Sequence, residues 1–124
     1  MLHHVIFAMG IGRIVLGLIP FFAAAKSSAL LGFPSSHDNP TSRLMARFFG
    51  VRDVGLGILV FYALAHPAFL SFVLLFNALM DMGDMTAIVI PLVKRQGIDR
   101  AAFSSLGFAL PAATAWLVVL SQSA

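Results

Sequence analysis

Asn77, Asp81 and Asp84 stand at i, i+4 and i+7 in the run Asn77-Ala-Leu-Met-Asp81-Met-Gly-Asp84. At helical spacing all three project from one face. They interrupt a largely apolar stretch from Ala68 to Val93, about long enough to cross a bilayer, near its middle. A charge at that depth costs about 2.5–3.5 kcal/mol on insertion scales, so it needs a partner or a task. A buried carboxylate can give or take a proton, and a nearby guanidinium can hold an oxyanion. Asp81, Asp84 and Asp53 are therefore the catalytic candidates, and Arg13, Arg52, Asn77 and Arg47 the ligand-binding ones.

Depth brings these residues together. Counting from Val5, Arg43 and Val93 at 1.5 Å per residue puts Arg13, Arg52, Asp53 and Asp84 roughly 12–15 Å from their nearest membrane face. Asp81 lies a turn further along. Three apolar segments thus meet at one level with two arginines and three aspartates. One negative charge is left over. Arg47, about one and a half turns nearer the membrane edge, could reach inward to balance it. Otherwise one Asp holds a proton, because burial disfavours the charged form, or a cation binds.

Other chemistries fit less well. Asp81, Asp84 and Asp53 beside two arginines make a poor cage for a hard cation, so no metal is expected. His3 and His4 fall near a helix end, His37 and His66 in loops, and none at mid-depth, which disfavours haem. No cofactor is expected. Gly10-Ile-Gly12 and Gly55-Leu-Gly57 lie inside helices and form no phosphate loop. There are no cysteines, hence no disulfide or thiol nucleophile. Every acid is an aspartate.

The elements that carry these residues are apolar helices. The 124 residues are 60% hydrophobic and 10% charged, where soluble chains carry about a quarter charged residues. Eight basic against five acidic residues is a small excess, and it is dispersed, so nucleic acid is not an expected partner. The lipid bilayer is. Four transmembrane helices are predicted, from about Val5 to Ala25, Pro40 to Ala65, Ala68 to Val93 and Ala101 to Leu120, forming one integral membrane domain. Arg13 in the first argues against a secretory leader. Gly10, Arg13 and Gly17 share a face of that helix, as do Ala46, Gly50, Asp53 and Gly57 of the second, two small-residue stripes suited to close packing. Lys26 to Ser42 reads as the longest loop, and Asp38-Asn39-Pro40 as a capped helix start. Trp116 is expected as an interfacial anchor near the end of the last helix. Lys26, Arg43, Lys94, Arg95 and Arg100 gather at one end. By the positive-inside rule that end is cytoplasmic and both termini are non-cytoplasmic.

The run Ala46-Arg-Phe-Phe-Gly50-Val-Arg52-Asp53-Val-Gly-Leu-Gly57, followed by the Asp81-x-x-Asp84 helix and a basic loop, resembles a family of small four-helix integral membrane proteins known only as a domain of unknown function. The likeness spans nearly the whole chain, from Gly12-Arg13 onward. It implies the four-helix fold and carries over no catalytic residue. In architecture the chain is also similar to small four-helix membrane enzymes acting on aromatic or terpenoid metabolites.

Three functions follow as expectations. The favoured one is an intramembrane site that binds a small lipophilic molecule and could transform it by acid–base chemistry. The others are a structural or accessory subunit whose charges only brace the bundle, and a proton- or ion-coupled transporter. A homo-oligomer or a membrane partner subunit is compatible with each.

Overall fold

The computed structural model describes residues 1–123, and among these there is no strand. Four long helices, α1 (Leu2–Phe22), α3 (Pro40–Ala65), α4 (Leu70–Val93) and α5 (Asp99–Ser123), are joined by short connections, with a two-turn helix α2 (Ala24–Leu31) after α1. All four long helices are long and apolar enough to cross a membrane. The chain is a multi-pass membrane protein with the all-α, four-transmembrane-helix fold that its sequence predicts.

The connections hold more order than the sequence suggests. The first helix ends at Phe22 rather than Ala25, and Ala24–Leu31, rich in Ala, Leu and Lys, form α2 across the start of the expected loop from Lys26 to Ser42. Gly32 ends it in the left-handed region (φ 102°). Between α3 and α4, Pro67–Phe69 form a single 3-10 turn, so α4 begins at Leu70 rather than Ala68. Helix α5 runs on past Leu120 because the Ser121 and Ser123 hydroxyls bond back to Val118 and Leu120 carbonyls, at 2.7 and 2.9 Å.

Helix α3 starts where the Asn39-Pro40 pair predicts. The Asn39 side chain accepts from the Ser42 N–H at 2.9 Å and the Ser42 hydroxyl accepts from the Asn39 N–H at 3.1 Å, a reciprocal cap ahead of proline. In the first turn of α3, exposed Arg43 reaches back to donate to both carboxylate oxygens of Asp38 at 2.8 Å, and this hydrogen bonding holds the Asp38 carboxyl below its ordinary range. Asn39→Ala removes the cap and is expected to lower stability by about 1 kcal/mol in detergent, read from the melting temperature.

The helices associate as two antiparallel pairs, α1 along α3 and α4 along α5. Alpha-carbon hydrogens replace side chains where α1 meets α3: Gly10 and Gly17 face Gly57 and Gly50. A methyl group on Gly17 would come within 2.6 Å of the Gly50 carbonyl oxygen, and one on Gly57 within 2.8 Å of the Gly10 oxygen. Small residues admit this approach, as both sequence stripes imply. The two pairs join through an apolar core in the half away from the basic loops, where Ile6, Val60, Val73, Leu74, Trp116 and Val119 are buried. In the other half no residue of α3 before Gly50, and none of α4 after Asp81, is fully buried. The large apolar core therefore lies on one side of mid-depth, while on the other the contact is made by small residues of α2 and α5, with Ala24, Ala101 and Ala102 buried. The charged residues lie at that boundary.

Candidate functional site

Arg13, Arg52, Asp53 and Asp81 each fall within about one residue of the midpoint of their helix. For α1 and α3 the glycine contacts explain the match in level. Arg13 sits between Gly10 and Gly17, Asp53 between Gly50 and Gly57, and the two crossings bring both to the same height.

Arg13 is the centre of the array. Its side chain is 7% exposed, and its whole fork is engaged from α4. Nε donates to Asn77 Oδ1 at 2.8 Å, while both terminal nitrogens donate to Asp81 Oδ1, at 3.1 and 2.8 Å. The i, i+4 spacing of Asn77 and Asp81 is what lets one guanidinium take both. Asn77 is held for this: its amide nitrogen donates to the Val73 carbonyl at 3.0 Å, which turns Oδ1 toward Arg13. The remaining side of Arg13 faces α5, with the Trp116 ring centre 5.5 Å from the guanidinium carbon, a cation–π arrangement.

Asp53 links this interior knot to a second one. Its Oδ1 lies 3.8 Å from an Arg13 nitrogen and accepts from Arg52 at 3.2 Å. Arg52 in turn forms a bidentate pair with Asp84, both bonds 2.7 Å, and stacks 4.7 Å over Phe49 of its own helix. Asp84 follows Asp81 by three residues and so leans toward α3 rather than α1. Unlike the interior groups, the Arg52 and Asp84 side chains remain 27% and 24% exposed. Two buried polar atoms in the array, Asp81 Oδ2 and Arg52 Nε, have no hydrogen-bond partner among the described residues.

Six of the seven residues singled out from the sequence thus join in one array across α1, α3 and α4. Arg47 does not. It is exposed and lies with Lys26 and Arg43 at the basic end. Six residues separate it from Asp53, which at 3.6 per turn directs the two about 120° apart around α3. The two-to-three imbalance of charge therefore stands. Thr86, another neighbour in sequence, is exposed and donates to the Met82 carbonyl at 3.2 Å.

Trp116 overturns an expectation. Rather than anchoring at the interface it is 2% exposed, and α5 extends two turns beyond it. Its place is the lid on Arg13. Residue counting does not reveal that role, since Trp116 lies five residues beyond the midpoint of α5 and its large ring reaches the guanidinium from that side.

No curated protein and no solved structure matches the chain. The model of one family does, over residues 10–122, a span holding every residue of the array. The chain belongs to that family, the DUF4267 domain of unknown function.

Proposed function

We propose that this membrane protein binds a small lipophilic molecule by a polar group at the Arg52–Asp84 edge, while Arg13, Asn77, Asp81 and Asp53 clasp the helices that carry it. One observation carries this reading: an ion pair at mid-helix depth keeps about a quarter of each side chain exposed, at 27% and 24%. Charge facing hydrocarbon is costly. A lipophilic molecule bearing an oxygen would cover the pair, accept from Arg52 and give a hydroxyl hydrogen bond to Asp84. Acid–base chemistry would extend the same reading, with Asp84 or its neighbours Asp81 and Asp53 taking the proton and Arg52 holding the oxyanion. The basic end is assigned to the cytoplasm by its Lys and Arg, leaving both termini outside.

A second reading, in which the array is only a brace, has its own support in the full engagement of Arg13. A diazirine-bearing fatty acid separates the two. In nanodiscs of neutral lipid, cross-links mapped by peptide mass spectrometry should concentrate on α3 and α4 around Arg52 and Asp84. Arg52→Gln should reduce them about tenfold, the effect of losing one charge-assisted hydrogen bond. Labelling spread evenly over the lipid-facing helices, and indifferent to Arg52, would leave the brace alone standing.

A further inference from the structure

At the basic end α1 stops at Phe22, and the chain leaves helical geometry at Ala23 (φ −132°, ψ 54°) before α2 begins. The change of direction leaves a concavity of about 310 Å³ against α3. Its wall is Phe22 and the first turn of α2, which has no side-chain cap, and its cations are Lys26, Arg43 and Arg47. Arg43 is shared with Asp38 at 2.8 Å. Lys26 and Arg47 make no ion pair among the described residues. Arg43 and Arg47 also stand at i, i+4, where like charges repel. Three cations on one concavity with a single carboxylate beside them make an electropositive pocket.

We propose that this concavity binds the phosphate headgroup of an anionic phospholipid, with Lys26 and Arg47 on the phosphate and Phe22 against the start of an acyl chain. The position favours a lipid over a soluble anion. Lys26 follows the end of one spanning helix, and Arg43 and Arg47 occupy the first two turns of the next, the level where headgroups lie. Phe22 is 78% exposed beside them, an apolar surface that a free phosphate would not cover. The site is separate from the mid-depth array and does not depend on what that array binds.

Native mass spectrometry of the detergent-solubilised protein tests it, with dioleoylphosphatidylglycerol, dioleoylphosphatidylcholine and inorganic phosphate as probes. Arg47→Gln should weaken phosphatidylglycerol binding about fivefold and the Lys26→Gln/Arg47→Gln pair roughly 30-fold, at about fivefold per surface charge. Phosphatidylcholine binding should not change. Both side chains are solvent-accessible, so an unaltered melting temperature is the check that the variants fold. The Lys94→Gln/Arg95→Gln pair, at the same end but outside the concavity, should bind as the parent does. The proposal is overturned by undiminished phosphatidylglycerol binding in the Lys26/Arg47 pair or by equal weakening in the Lys94/Arg95 pair. It is equally overturned if inorganic phosphate binds as tightly as the lipid.

Discussion

Arg13→Met is expected to destabilise this protein by about 3–5 kcal/mol, the cost of removing one partner from a buried charge pair. Methionine fills much of the same space, so the loss reports charge rather than volume. Asp81 would lose both of its donor contacts from the guanidinium and the closest cation together, and Asn77 Oδ1 its donor. Nothing else on α1 could replace them, since Arg13 is its only Arg, Lys, Asp or Glu. The melting temperature in detergent reads the effect, and exposed Arg43→Met sets the scale, its pair being worth about 0–1 kcal/mol. A loss at Arg13 no larger than that at Arg43 would remove the clasp from the account. The carboxylates should then divide by position. Asp81→Asn, in the interior knot, should cost more than Asp84→Asn, whose pair is partly exposed. A neutral or stabilising Asp84→Asn would mark that carboxylate as held for something other than the fold.

Most of this array is legible in the sequence alone, for two reasons. Spanning helices run nearly straight from one interface to the other, so residue count converts into depth. And charges at mid-depth have few partners available, so Arg13, Asp53 and Asp81 could hardly stand anywhere but together. What stays hidden is direction around the helix axis. Arg47 is at a reachable depth and faces the wrong way. Trp116 reads as interfacial only if α5 ends at Leu120, and the helix runs further. The asymmetry between Arg13 and Arg52 is hidden too, because interior and edge positions depend on how the two helix pairs meet, and that follows from packing rather than from either pair's own pattern. Helix α2 is masked because Pro34 and Pro40 and the surrounding polar residues read as loop, while the eight residues that form it hold six good helix formers around Ser27 and Ser28.

Gly50→Ala is the second substitution expected to have a large effect, because the level of Asp53 is set by backbone contact rather than by side chains. A methyl group there would meet the Gly17 carbonyl oxygen and, at 3.0 Å, the Phe21 backbone nitrogen. Neither can rotate aside, so α1 and α3 must separate or slide. The expected cost is about 1–3 kcal/mol or more. Gly55 is the internal control: it lies on the same helix, and a methyl group added there would have nothing within 4 Å. Gly55→Ala should therefore stabilise by about 0.5–1 kcal/mol, the ordinary gain of alanine over glycine within a helix. Opposite signs at two glycines on one helix are the test; a shift of the same sign at both would contradict the close approach. The damage at Gly50 should also reach the charges, since Asp53 is 3.8 Å from Arg13 only while the glycine register holds. On an Arg13→Met background Gly50→Ala should then cost less than it does alone, because the pairing it disturbs is already gone. Additive losses would mean that the glycines pack the helices and the charges clasp them independently, and that the register does not serve the array.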